Sequence, residues 1–213
     1  MPYTIKEIFY SLQGEGAQTG RAAVFCRFTG CNLWSGREED RDKAICQFCD
    51  TDFIGTNGPG GGIFQNPMDL AQAVRDKFPA MASKRISPLV VCTGGEPLLQ
   101  MDEALVSAFH TLGFEVAIET NGTLLPPAGI DWICVSPKAG AECKLRSGDE
   151  LKLVFPQEGI DPEDFESLNF KVFFLQPKDG PAIKQNTRLA VRYCLEHPQW
   201  RLGLQIHKLL GIR

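Results

Sequence analysis

The sequence predicts an α/β fold built on a mainly parallel sheet. Short apolar runs rich in β-branched and aromatic residues recur along the chain, and amphipathic stretches with helical spacing separate several of them. Several of these runs are continuous rather than alternating, as in strands buried on both faces. With 213 residues, 43% hydrophobic and 23% charged, the chain can bury one core of ordinary size, and a single domain over 1–213 is expected.

Strands are expected at 6–12 and 21–29, then at 88–93 (PLVVCT), 114–120 (FEVAIET) and 131–136 (DWICVS). Three more follow at 151–155 (LKLVF), 170–175 (FKVFFL) and 200–206. A helix over 67–78 would set Met68, Ala71, Val74 and Phe78 on one face, with Asn66 as its cap and Pro67 in its first position. A second, over 101–112, repeats the spacing with Met101, Ala104, Leu105, Ala108 and Leu112. The third spans 181–195, after a turn at Asp179-Gly180.

Two stretches interrupt this rhythm: a polar, cysteine-bearing loop at about 30–53 and a glycine-rich connection at 55–62 (GTNGPGGG). Loops this long inside a compact domain are usually functional. Parallel α/β sheets bind ligands at the C-terminal ends of their strands. That rule selects Gly94-Gly95-Glu96-Pro97, Asn121-Gly122, Pro137-Lys138 and Gln176-Pro177-Lys178-Asp179, all polar or glycine-rich.

A net charge of −4 lacks the broad basic face that nucleic acid requires, although one or two local arginines can still grip a small anion. Residues 1–7 show no basic region followed by an apolar core, and no run approaches the roughly 18 apolar residues of a membrane span. A cytoplasmic protein is therefore expected. In a reducing compartment eight cysteines point to metal before disulfides.

Cys31, Cys46 and Cys49 are separated by fourteen residues and then by two. Three thiolates suit zinc or an iron–sulfur cluster, since both take soft anionic sulfur. Structural zinc needs a fourth ligand, and none is close in sequence: His110, His197 and His207 are distant and Cys26 sits inside a strand. Three ligands on a [4Fe–4S] cluster would leave one iron open. Cys26, Cys92 and Cys134, embedded in apolar strands, read as small core hydrophobes, and Cys143 and Cys194 have no partner by spacing.

Phe48 directly before Cys49, Thr93-Gly94-Gly95-Glu96-Pro97 after one strand and Glu119-Thr120-Asn121-Gly122 after the next resemble the radical S-adenosylmethionine superfamily. That family's CxxxCxxC loop is stretched here in its first gap but keeps three ligands. A narrower resemblance covers nearly the whole chain. Phe9-Tyr10-Ser11-Leu12-Gln13-Gly14-Glu15-Gly16, Phe25-Cys26-Arg27-Phe28, Cys49-Asp50-Thr51, Ser136-Pro137-Lys138 and Gln205-Ile206-His207-Lys208 are similar to the 7-carboxy-7-deazaguanine synthase family of queuosine biosynthesis. Some members of that family also carry a widened cysteine gap.

The resemblance implies an abbreviated (β/α) partial barrel, a homodimer, and a [4Fe–4S] cluster on Cys31, Cys46 and Cys49. It also implies S-adenosyl-L-methionine, Mg²⁺ and a one-electron reductant such as a flavodoxin-like protein. The reaction implied converts 6-carboxy-5,6,7,8-tetrahydropterin to 7-carboxy-7-deazaguanine and ammonia. Transferred residue by residue, Phe48, Cys49, Asp50, Gly95, Glu96, Glu119, Ser136, Pro137, Lys138, Gln176, Pro177, Lys178 and Asp179 would contact the cofactor. Leu12, Gln13, Gly14, Glu15, Arg27, Thr93, His207 and the terminal Arg213 would contact the pterin, and Thr51 would hold Mg²⁺. No side chain is expected to act as an acid or base in the first step, because the radical belongs to the cofactor.

Blander readings stand beside these. Glu96 could cap the next helix, Arg27 could form a structural salt bridge, Lys138 could be a solvated loop cation and Thr51 an ordinary loop residue. A glycyl-radical activase and a zinc-stabilised binding domain are the competing functions.

Overall fold

The computed structural model describes residues 2–79 and 87–213. Nine strands form one sheet: β1 (Tyr3–Leu12), β2 (Ala22–Phe28), β3 (Gly62–Phe64), β4 (Leu89–Gly94), β5 (Glu115–Thr120), β6 (Trp132–Val135), β7 (Ser147–Phe155), β8 (Asn169–Pro177) and β9 (Trp200–Leu202). Their order is β3-β1-β2-β4-β5-β6-β7-β8-β9. The β1–β2 and β1–β3 pairs are antiparallel, and every pair from β2 to β9 is parallel. The expected parallel α/β architecture is present, and the sheet is open.

The helices are α1 (Pro67–Arg75), α2 (Glu103–Thr111), α3 (Ile183–Glu196) and α4 (Ile206–Leu210). Asn66 caps α1 by accepting from the Asp69 amide, and Pro67 occupies the first turn, as the sequence suggests. The buried face of α1 is Leu70, Ala71 and Val74; Met68, in the first turn, points outward. Among the described residues no helix is long and apolar enough to cross a membrane.

Strand periodicity divides the sheet into two chemically different faces. On the outer face Val24, Cys26, Phe28, Val90, Cys92, Val116 and Ile118 pack beneath α1 and α2, while Val135, Leu151, Leu153 and Leu175 pack with Ala190 of α3. On the inner face Ala23, Leu89, Val91 and Ala117 form a small apolar floor with Phe25 and Trp132. The inner positions further along the strands are polar: Arg27, Thr93, Glu119, Cys134 and Lys152.

An irregularity in β1 places Glu7 on that inner face. The register slips between Ile5 and Glu7, so Ile5 and Ile8 both reach the outer core while Glu7 stands beside Arg27. The Lys6 carbonyl at the slip accepts from the Gly58 amide at 3.0 Å, and Ile8 donates to the Pro59 carbonyl at 2.7 Å. A Cβ on Gly61 would overlap the Lys6 carbonyl, so the glycine-rich connection is a plug that must approach the β1 backbone closely.

The expectation of a strand over 200–206 is corrected: β9 stops at Leu202 and Ile206–Leu210 is helical. The Ile206 amide donates to the Gly14 carbonyl and Gly211 ends the helix in the left-handed conformation, so the chain turns back toward the β1–β2 loop. The stretch 30–53 also contains a 3-10 turn, Glu38–Lys43.

Asp102 caps α2 through the Leu105 amide at 2.9 Å and accepts the Tyr3 hydroxyl at 2.7 Å, joining helix to strand. Replacing Asp102 with Ala is expected to lower the unfolding free energy by about 1–3 kcal/mol, more than Tyr3→Phe does. Anaerobic urea titration followed by circular dichroism reads this. An unchanged midpoint would contradict the dual role of Asp102.

Candidate active site

A cavity of about 680 Å³ opens at the C-terminal ends of the parallel strands, within the range of about 300–1,000 Å³ usual for ligand sites. Its wall includes Cys31, Cys46, Phe48, Cys49, Asp50 and Thr51 from the cysteine loop, and Leu12, Gln13, Gly14 and Glu15 from the β1–β2 connection. Arg27, Thr93, Gly95, Glu119, Ser136, Lys138 and Gln176-Pro177-Lys178-Asp179 come from the strand ends, and His207 and Arg213 from the C-terminal segment. Of the residues expected to contact cofactor, pterin or metal, Glu96 and Pro137 stay outside this lining, as do Pro97 and Gly122 among the strand-end residues.

Glu96 is fully buried behind the wall. Its carboxylate accepts from the Leu98 amide at 3.0 Å, the Thr120 hydroxyl at 2.8 Å and the Asn121 amide at 2.8 Å. Burial pushes its pKa up, and these three donors pull against that shift. Its own amide donates to the Gly30 carbonyl at 2.8 Å, and Gly95 donates to the Phe28 carbonyl at 3.3 Å. The GGE run therefore holds the start of the cysteine loop against β4.

The widened cysteine gap is a folded lobe. Leu33 and Trp34 are buried within it, and Trp34 meets Phe53 edge-on at 5.6 Å. The Arg41 guanidinium lies 4.1 Å from the Trp34 ring centre and donates to the carbonyls of Gln47 at 2.8 Å and Cys49 at 3.1 Å. The Ile45 and Cys46 amides both donate to the Leu33 carbonyl, which closes the lobe at its neck. Asn32 bridges to Thr123 and Asn121, tying the lobe to the end of β5.

All three thiols are free and open to the same cavity. The hydrogen bond shared with Cys46 brings the Cys49 thiol down to about 6, and pushes that of Cys46 up. Burial raises Cys31, against the Leu33 amide that points at its sulfur at 3.4 Å. Lys138 donates to the Ser136 carbonyl and hydroxyl at 2.6 and 2.7 Å, and burial lowers its pKa. Soft sulfur donors, amides aimed at them and a nearby lysine that has no carboxylate partner among the described residues fit a thiolate-ligated anionic group such as an iron–sulfur cluster. Among the described residues no three His, Cys, Asp or Glu side chains are grouped to hold a single metal ion.

Away from the cysteines the wall becomes a network of charge. Arg27 donates through Nε to Glu7 at 2.9 Å, so the structural salt bridge is present, and Arg27 lines the cavity as well. Glu7 also pairs with Arg213 at 3.0 Å; both guanidinium groups lie against the Phe9 ring, which stacks on Phe25. Lys152 donates to Glu15 at 2.5 Å and to Glu119 at 3.4 Å. Burial works to raise the Glu15 pKa, yet Lys152 and Gln205 outweigh it and hold the carboxyl at about 2.

Glu7, Lys152, Gln205 and Lys208 are wall residues that the sequence alone does not mark, and Cys134, buried as expected of a core cysteine, borders the same space. Cys134 donates to Glu150 at 3.6 Å, on the inner side of the sheet. No pattern carried a signal for these positions: Cys134 lies in the continuous apolar run WICV, and a lysine inside LKLVF marks neither face by itself. Lys208 in α4 bridges Asp50 at 2.6 Å and Asp179 at 2.5 Å, joining the cysteine loop to the end of β8.

Gly14 fits because it has no side chain: a Cβ there would overlap the His207 ring. Gly14→Ala is expected to displace α4 and speed exchange of the Ile206 amide by at least about tenfold, since that amide bonds to the Gly14 carbonyl. Hydrogen exchange read by mass spectrometry checks it. Unaltered exchange would show that α4 does not depend on this contact.

No family model matches the chain. Curated relatives do. It is 61% identical to the 7-carboxy-7-deazaguanine synthase of Caulobacter vibrioides over 212 residues, covering 100% of both chains. It is 62% identical to that of Bordetella pertussis over 212 residues, again covering 100% of both. The crystal structure of QueE from Escherichia coli superposes with a TM-score of 0.70 at 28% identity, covering 96% of this chain and 94% of that one. Full-length identity at this level, on the same fold and with three cysteines facing the cavity, makes this chain a member of the 7-carboxy-7-deazaguanine synthase family.

Proposed function

We propose that this chain converts 6-carboxy-5,6,7,8-tetrahydropterin to 7-carboxy-7-deazaguanine and ammonia, as a radical S-adenosylmethionine lyase assisted by Mg²⁺. The observation that carries the reading is one cavity with two unlike walls, three free thiols on one and Gln13, Glu15 and Arg27 on the other. A cluster held there would supply the single electron needed for reductive cleavage of S-adenosylmethionine. A one-electron reductant and a homodimeric assembly belong to the same proposal.

The chain's residues bind and orient. Cys31, Cys46 and Cys49 would hold the cluster. Phe48, Asp50, Gly95, Ser136, Lys138 and the end of β8 would position the cofactor. There Gln176 Oε1 is buried, has no hydrogen-bond partner among the described residues and offers an acceptor. Arg27 gives Nε to Glu7 and retains its two terminal nitrogens for a planar carboxylate. Gln13 and Glu15 would meet the polar edge of the pterin. The Thr51 hydroxyl would supply one hard oxygen to Mg²⁺, with substrate and water completing the shell, since Lys208 and Lys6 hold the neighbouring Asp50 and Asp52. The C-terminal segment, tied at Gly14, Asp50, Asp179 and Glu7, would cover the site and limit water.

Anaerobically prepared enzyme with about four irons per chain is expected to turn the pterin into 7-carboxy-7-deazaguanine, faster with Mg²⁺. Cofactor cleavage that leaves the pterin unchanged would sink the reading. Arg27→Ala should raise KM by about tenfold or more while the brown colour persists. Loss of colour would make Arg27 structural. Thr51→Ala should weaken the response to Mg²⁺, and an unaltered response would remove Thr51 from the metal shell.

A further inference from the structure

Lys152 has no role in the chemistry described so far, yet its side chain is only 5% exposed and stands in the cavity wall. Its ammonium joins two carboxylates from different elements, Glu15 of the β1–β2 connection and Glu119 at the end of β5. The remaining oxygen of each carboxylate is held as well. Glu15 Oε1 accepts from Gln205 Nε2 at 2.8 Å, and Glu119 Oε1 accepts from Gln13 Nε2 at 2.9 Å. Both carboxylates are thus fixed as acceptors, and every oxygen keeps a second lone-pair site for a ligand.

Glu15 and Glu119 meet at one ammonium with side chains 13% and 26% exposed, and two like charges brought this close are held together most readily by a cation between them. Lys152 is that cation. The third acid nearby, Glu150, is occupied by the Ala17 amide and the Cys134 thiol, and burial raises its pKa. An ion pair serving the fold alone has no need of the cavity, whereas Lys152, Glu15, Glu119, Gln13 and Gln205 all line it.

We propose that Lys152 is a positioning residue which keeps Glu15 and Glu119 as paired ionised acceptors, so that this end of the cavity selects a heterocycle edge made of adjacent N–H donors. The inference rests on the pterin reading above and names the edge that enters: the amino group and neighbouring ring N–H of an aminopyrimidinone.

Two probes separate the claims. Pterin-6-carboxylate carries that edge, while lumazine-6-carboxylate has an oxo group where the 2-amino group stood. Each is titrated calorimetrically into anaerobic, cluster-loaded enzyme. The wild-type protein is expected to bind the pterin at least about tenfold more tightly, since the lumazine sets an acceptor against acceptors. In Lys152→Met the ratio should fall to within about twofold, as one carboxyl takes up a proton and becomes a donor. Lys152→Arg should restore a clear preference, and Lys152→Gln replaces the Met variant if that one does not fold. A tenfold preference retained in a folded Met or Gln variant overturns the role of Lys152. Equal binding of both compounds by the wild-type enzyme also overturns it. Binding of neither overturns the pterin reading on which it rests.

Discussion

Glu96 sits without solvent exposure at the end of β4, its carboxylate bonded to Leu98, Thr120 and Asn121 and its amide bonded to the Gly30 carbonyl. A carboxylate in that position is costly unless its lone pairs are filled, and here donors from two strand ends fill them. The result is a joint: β4, β5 and the first residue pair of the cysteine lobe are held in one relation. Asn121 extends the joint by bonding to Asn32, one residue beyond Cys31. The position of the cysteine wall relative to the sheet follows from this buried group, although Glu96 itself stays out of the cavity lining.

The polarity of the opposing wall has a different origin. Strand alternation sends Val24, Cys26 and Phe28 to the helices and Phe25 and Arg27 to the inner side, and the slip in β1 delivers Glu7 next to Arg27. The same alternation in β7 buries Leu151 and Leu153 outward and turns Glu150 and Lys152 inward. A charged network can then occupy the interior, because each member is satisfied by another: Glu7 by two arginines, Glu15 and Glu119 by Lys152 and two amides. Soft sulfur on one side and hard, paired charge on the other suit a cofactor and a polar heterocycle facing each other.

Much of this was legible in the sequence. Continuous apolar runs identified the parallel strands, and Asn66-Pro67 identified the start of α1. The strand-end rule picked out loops that border the cavity because it depends on topology alone. The misses have physical causes. Leu202, Leu204 and Ile206 alternate like a strand, but Gly203 and the bond from Ile206 to Gly14 turn the chain into a helix. Lys152 was hidden within LKLVF, where a lysine between apolar residues signals neither face until its partners Glu15 and Glu119 are known. Glu7 was obscured by the slip in β1, which breaks the period of two that a sequence reading assumes. The fold of the widened cysteine gap depends on Trp34, Arg41 and Phe53 meeting across a loop, a contact that no periodicity encodes.

The central question is whether Cys31, Cys46 and Cys49 hold a four-iron cluster with one iron left open to the cavity. Mössbauer spectra of protein loaded with ⁵⁷Fe, recorded with and without S-adenosylmethionine, address this directly. One iron in about four is expected to change its signal when the cofactor is added, since three cysteines would leave one iron without a thiolate. Spectra that stay identical, or a protein that retains zinc and no iron, would contradict such a cluster.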